Sequence, residues 1–230
     1  MKLPGPLISA VFVRRDNRFR ATVLLEGKEV AAHVPNSGRL HELFLPGRRV
    51  LIRPARNPGR KTQYDLIMVW ADGVLVSLDA RLPGPLVAEA AREGRLTEFS
   101  GYPQVREEVR LGNSRIDVLL EGPAGQCWIE AKSVTLVEEG TALFPDAVTA
   151  RGKRHVEELT RTLRPGVCAA IVFVVQREDA VEFRPHEASD PAFTAALRQA
   201  AAQGVQVRAY RCQVRPQEIR LAAPLPVHLD

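Results

Sequence analysis

Two short apolar runs near the middle of the chain, Ser114–Leu120 and Trp128–Val134, are joined by Glu121-Gly122-Pro123-Ala124-Gly125-Gln126. Gly/Pro turn chemistry between two such runs predicts paired strands with a hairpin-type connection. Three ionisable residues interrupt the pattern: Asp117 in the first run, Glu130 and Lys132 in the second. Residues two apart in a strand point the same way, so Glu130 and Lys132 share one face and Ala131 takes the other. A buried charge is costly unless it is paired or holds a metal. The sequence therefore requires a reason for three charges where a β-core prefers Val or Ile.

Metal-assisted phosphodiester cleavage supplies one. Hard carboxylate oxygens from Asp117 and Glu130, with the Ala131 carbonyl as a third ligand, suit Mg²⁺ or Mn²⁺ rather than Zn²⁺. A lysine beside them can position water or offset developing charge. The pattern D-(x)n-E-x-K, with Glu130 thirteen residues after Asp117, resembles the PD-(D/E)xK nuclease superfamily. The other reading of the same residues is an exposed strand edge decorated with charges.

With 230 residues the chain makes one large domain or two small ones, and 45% hydrophobic against 26% charged residues provides for an ordinary core. Net charge of +5 and a pI near 9.4 admit a polyanionic partner such as DNA, though an Arg excess is also common on soluble surfaces. Cys127, Cys168 and Cys212 are odd in number and lack metal-ligand spacing, so reduced, buried thiols are expected. Met1–Pro6 carries no secretory h-region and no apolar run approaches transmembrane length, which leads to the expectation of a soluble, cytoplasmic protein.

Taken in order, residues 7–78 read as short strands: Leu7–Val13, Phe19–Leu25, Glu29–Val34, Val50–Arg53, Tyr64–Trp70 and Val74–Leu78. That density of strands predicts a small barrel of OB-like or SH3-like type. Between them, Pro35-Asn36-Ser37-Gly38 is turn chemistry; it is either a plain loop or a phosphate-facing one with backbone N–H groups and Arg39 available to an anion. Arg53, Arg56, Arg60 and Lys61 make a basic stretch where a barrel could meet a nucleic-acid backbone. Leu82-Pro83-Gly84-Pro85 marks a boundary, giving domains 1–82 and 83–230 with separate cores. Beyond it come a helix Leu86–Glu93, a strand Gln104–Leu111, a turn at Asn113, the two charged strands and a loop over 135–150. A helix Ala150–Leu163, a buried strand Cys168–Gln176, a helix Pro191–Ala202 and a closing strand Val205–Arg211 follow. This order predicts a mixed α/β sheet, leaving Pro216–Asp230 without an obvious place.

Two helices add candidates. Arg151 and His155 are four apart and project from one helix face directly after the charged strands. Glu89 could bring a further carboxylate from the first helix. Arg39, Arg53, Arg56, Lys61, Arg115 and Lys153 are the candidate nucleic-acid contacts.

The whole set resembles the sugar fermentation stimulation protein A family of bacteria and archaea. The resembling segments are His33–Leu40, Gly101-Tyr102, Ser114–Asp117, Ile129–Leu136, Phe144–Thr149, Arg151–His155 and Val175–Arg177. Departures are Ala131 for Val, Ser37 for Thr and Leu40 for Met, none at a charged position. The resemblance implies an N-terminal OB-like domain, a C-terminal PD-(D/E)xK nuclease-like domain and DNA binding. It leaves two functions open: a Mg²⁺- or Mn²⁺-dependent nuclease, or a non-catalytic DNA-binding regulator of sugar metabolism. Strandedness, DNA against RNA, and oligomeric state, a homodimer included, stay open as well.

Overall fold

The computed structural model describes residues 1–230 except Arg56, Pro58 and Asn113. The chain opens with β1 (Ile8–Asn17), β2 (Arg20–Leu25), β3 (Lys28–His33), β4 (Arg49–Pro54), β5 (Tyr64–Ala71) and β6 (Val74–Ser77). Their order is β3-β2-β1-β4-β5-β6, and a parallel pairing of Ala32 and His33 with Tyr64 and Asp65 joins β3 to β5. That pairing closes β1–β5 into a barrel, which leaves no free edge on the closed strands. Alternation fills its inside with Phe12, Val23, Val50, Ile52, Leu66 and Val69, and Leu43 from the β3–β4 connection joins them.

Helix α1 (Pro83–Arg92) begins three residues before the expected Leu86. Pro83-Gly84-Pro85 is not a linker but the first turn, where a missing N–H costs nothing because those donors are unpaired anyway. After a 3₁₀ turn at Thr97–Phe99 come β7 (Gln104–Leu111), β8 (Ser114–Gly122) and β9 (Gly125–Val134). The expected loop over 135–150 contains two short strands, β10 (Leu136–Glu138) and β11 (Thr141–Phe144). They join β13 (Glu182–Pro185) in a small sheet of order β10-β11-β13. Strands this short carry too few residues to display a period of two.

Next come α2 (Ala150–Thr162), β12 (Val167–Val175), β13, α3 (Pro191–Ala202), β14 (Gln206–Arg215) and β15 (Glu218–Leu225). The main sheet among the described residues runs β15-β14-β12-β9-β8-β7. Its β7–β8–β9 meander is antiparallel, β9, β12 and β14 are mutually parallel, and β15 returns antiparallel. Strand β12 is buried from Ala169 to Val175, as its unbroken apolar run requires. The tail that had no expected place is β15, paired with β14 as the sheet edge.

Two expectations are overturned here. The separation of cores is incomplete: the barrel interior is a cluster of its own, but Leu51, Ile67 and Met68 of the barrel and Leu75 of β6 join Leu86, Val118, Ile129 and Val172 in a second, shared one. Nor are all three cysteines thiols. Cys127 and Cys168 face each other in the parallel β9–β12 register, with Cα atoms 4.5 Å apart, and form a disulfide. Cys212 alone is free, and burial pushes its thiol up to about 12. No helix among the described residues is long and apolar enough to cross a membrane.

Candidate metal and phosphodiester site

Strands β8 and β9 pair from Gly122–Gly125 only as far as Val118–Ile129, and then part. Asp117 and Glu130 lie just beyond the last pair. Where a ladder partner would have met it, the Ala131 N–H donates instead to Asp117 Oδ2 at 2.8 Å. Alternation on β9 packs the half-buried Ala131 against the shared apolar cluster and sends Glu130 and Lys132 to the opposite face, as expected.

Helix α2 closes that face. Thr149 caps it by accepting the Gly152 N–H at 3.1 Å, and donates its own N–H to Asp190 Oδ2 at 2.8 Å. Asp190 also caps α3 by accepting from Phe193, so one carboxylate fixes the starts of both helices. The first turns of α2 then place Arg151 and His155 on the face toward β9. His155 Nδ1 makes a short hydrogen bond to Glu130 Oε1, and Arg151 Nε donates to His155 Nε2 at 3.4 Å. With Nε2 accepting, the proton on the ring belongs to Nδ1. Lys132 Nζ donates to Glu130 Oε1 at 2.6 Å.

The two carboxylates differ in charge environment. Burial raises both. At Glu130 the Lys132 ammonium and the His155 hydrogen bond outweigh burial and hold the carboxyl below its usual range. At Asp117 burial is reinforced by repulsion from Glu130, against the Ala131 N–H, and the group is pushed up to about 6.

A divalent cation fits this arrangement. Glu130 is 4% exposed, yet its Oε2 is buried without a hydrogen-bond partner, next to the repelled Asp117 carboxylate. A buried orphan oxygen and a like-charge neighbour are both relieved by a hard cation. Among the described residues no group of three or more His, Cys, Asp or Glu side chains is gathered for an ion. The hard oxygens the cleft offers such an ion beside one another are those of the Asp117 and Glu130 carboxylates.

These groups line a cleft of about 410 Å³. Its other wall was not foreseen. Asn36, Ser37 and Gly38 from the barrel and Arg18 from the β1–β2 turn line it together with Asp146–Thr149. The Pro-Asn-Ser-Gly loop does present N–H groups to an anion, but that anion is internal. Asp146 Oδ2 accepts from Arg39 N at 2.7 Å and from Leu40 N at 3.4 Å. Gly38 is required because a Cβ there would lie 2.4 Å from the same oxygen. Asn36 holds the loop by donating to Leu78 O at 3.1 Å and accepting from Gly38 N at 2.8 Å. A polar residue beside a proline in a loop is an ordinary sight, so nothing local singled out Asp146.

Of the expected site residues, Asp117, Glu130, Ala131, Lys132, Arg151 and His155 come together in the cleft. Glu89 does not. It pairs with the N-terminal ammonium at 2.9 Å and lies 3.8 Å from Arg95. Gly84 is the α1 residue that meets Asp117, with space for a Cβ only 3.1 Å from the Asp117 Cβ. Glu89, five residues on, sits about 140° around the helix and points elsewhere.

The expected basic contacts are dispersed. Arg39 is exposed, outside the cleft lining. Arg53 turns to Asp65 at 3.6 Å, in a second cavity beside Arg60 and Arg81. Lys61 is exposed, Arg115 pairs with Glu108 at 2.9 Å, and Lys153 lies 3.8 Å from Glu157. Arg56 and the expected turn at Asn113 fall outside the described residues.

A family model for the "SfsA N-terminal OB domain" matches residues 13–78, and one for the "Sugar fermentation stimulation protein RE domain" matches residues 81–218. The chain belongs to the sugar fermentation stimulation protein family. Homologues of that name from Moorella thermoacetica and Geobacter sulfurreducens are 47% and 48% identical. The alignments cover 100% of both chains for the first, and 99% of this chain and 98% of the relative for the second. The solved structure of Pyrococcus furiosus SfsA in complex with Ca²⁺ is 34% identical, covers 99% of each chain and superposes with a TM-score of 0.88. The family's architecture is thus the one built above: an OB-like barrel followed by a mixed α/β sheet.

Proposed function

We propose that this chain binds DNA and hydrolyses its phosphodiester bonds with a divalent metal ion, Mg²⁺ or Mn²⁺, held by Asp117, Glu130 and the Ala131 carbonyl. The observation that carries the reading is the buried, unpartnered Glu130 Oε2 beside a carboxylate pushed up to about 6, with Lys132 and His155 on the other oxygen of Glu130. The calcium bound by the Pyrococcus furiosus relative supports the same reading.

When bound, the ion would polarise a phosphoryl oxygen and favour an ionised water. The chain's own groups do the rest. Asp117, anchored by the Ala131 N–H, keeps one carboxylate edge fixed. Lys132 directs its ammonium across the Glu130 carboxylate, where it orients the attacking water and offsets charge on the phosphoryl oxygens. Arg151, exposed at the cleft wall, contacts the phosphate, while His155 locks Glu130 in place. Water adds at phosphorus, one ester P–O bond breaks, and the strand leaves as a phosphate monoester end and a hydroxyl end.

The competing reading is a non-catalytic DNA-binding regulator, which the family name suggests. Retention of Asp117, Glu130 and Lys132, all aimed into one cleft, favours the nuclease. Purified protein incubated with single- and double-stranded DNA and Mg²⁺ or Mn²⁺, beside Asp117→Ala, decides the matter. Cleavage by the first and not the second is expected. DNA binding with no cleavage and no retained ion at millimolar metal would give the regulator.

A further inference from the structure

The β1–β2 connection is a two-residue turn made of Arg18 and Phe19. Its backbone is pinned on every side. Phe19 O accepts from Val34 N at 2.9 Å and lies 3.0 Å from His33 Nδ1. Phe19 N donates to Asn17 Oδ1 at 3.0 Å, and Arg18 O accepts from Arg15 Nη2 at 2.7 Å. Both side chains are exposed all the same, Phe19 at 48% with the His33 ring 6.3 Å behind it. Arg18 lines the same cleft as Asp117, Glu130 and Lys132. Phe19 follows it just outside that lining, and Val148, an apolar side chain of the lining, is 73% exposed.

From this juxtaposition we infer that the Arg18-Phe19 turn is a rigid clamp for an unpaired DNA strand, with Arg18 on a backbone phosphate and Phe19 stacked on a base. The inference rests on the nuclease reading of the cleft and names its substrate as single-stranded.

The physical reason is what each form of DNA offers to the rims. In a duplex the base faces are buried in the stack, and the outside presents phosphates and groove edges. The exposed Phe19, next in the chain to the cleft-lining Arg18, and the exposed Val148 then find no apolar surface. An unpaired strand offers both a phosphate and a free base face, and base–aromatic stacking works with any base. A cleft of about 410 Å³ is of the size that encloses one small ligand. Because the turn is already ordered by its own backbone bonds, little conformational freedom is lost on binding.

The test is the ratio of affinities for a labelled oligonucleotide and its duplex, measured by fluorescence anisotropy in EDTA, with Mn²⁺-dependent cleavage of the same pair as a second arm. Wild-type protein is expected to bind the single strand about tenfold or more tightly than the duplex. Phe19→Ala should collapse that ratio toward one, Phe19→Trp should keep it, and Arg18→Gln should lower it. Circular dichroism and the melting temperature establish that each variant is folded. Equal binding of both forms by the wild type, or an unchanged ratio in Phe19→Ala, overturns the clamp even if the protein cleaves. Absence of cleavage with the ratio behaving as expected overturns the nuclease reading and leaves the clamp standing. An equal preference for single-stranded RNA shows that the strand and not the sugar is read, and supports the clamp.

Discussion

Asp117 Oδ2 accepts the Ala131 N–H at 2.8 Å, at the point where β8 and β9 stop pairing. A side chain here does the work of a missing ladder partner. The consequence is that a carboxylate is fixed in a buried place beside Glu130, against the first turn of α1 at Gly84. Metal-free protein keeps this carboxylate there at a cost.

That cost gives a pH prediction. Asp117 goes from an ordinary 3.8 to about 6 on folding. Below both values the group is protonated in both states and costs nothing. As pH rises through this window the unfolded chain loses its proton first, so stability falls, and above about 6 the full penalty is present. Its upper bound is about 3 kcal/mol. Asp117→Asn should therefore raise the melting temperature of metal-free protein by several degrees at pH 7.5 and hardly at all at pH 3.5. Mn²⁺ or Ca²⁺ should stabilise the wild type at pH 7.5 and not the variant. An unchanged melting temperature at pH 7.5 would show that the carboxylate is not strained.

Lys132 and Glu130 should separate ion holding from bond breaking. Glu130→Gln is expected to abolish cleavage and weaken cation binding, read by calorimetry, because it removes an oxygen charge from the ion. Lys132→Ala should lower the cleavage rate by about 100-fold or more while cation affinity holds or rises, since a competing positive charge at 2.6 Å is gone. Parallel loss of both properties in Lys132→Ala would make the lysine structural.

Gly38 and Asp146 tie the barrel to the cleft. A Cβ at residue 38 overlaps Asp146 Oδ2, so Gly38→Ala must displace the carboxylate that accepts from Arg39 and Leu40. A cost of about 1–3 kcal/mol is expected by denaturant unfolding, together with reduced cleavage because a cleft wall moves. Asp146→Asn, which keeps an acceptor, should cost less. A harmless Gly38→Ala would mean that the wall gives way freely.

DNA affinity should be largely electrostatic and fall steeply with salt. Arg39→Ala should weaken binding to all sequences alike and reduce the slope of log affinity against log salt by about one. Arg53→Ala should change little, because its guanidinium already faces Asp65. Salt-independent binding, or binding confined to one sequence, would instead indicate a specific regulator.

The chain's local patterns determined a good deal. Apolar runs placed the strands: alternating ones those of the barrel and the β7–β8–β9 meander, because a strand's period of two is written in adjacent residues, and an unbroken one β12. The core of the site was legible for a related reason: Asp117, Glu130 and Lys132 break runs that otherwise want to be buried, and a four-residue step put Arg151 and His155 on one face. Tertiary structure decided the rest. Asp146 reaches Arg39 across 107 residues of chain, and Cys127 meets Cys168 only because β9 and β12 run parallel in register. Glu89 left the site because α1 starts early and its phase turned Gly84 toward Asp117 instead. Strands β10, β11 and β13 are too short to display a period and exist because of their partners, and the place of β15 as the sheet edge is set by β14. Local propensity is a property of neighbours along the chain; the anion for a loop, the wall for a cleft and the edge for a sheet are set by residues that only folding brings near.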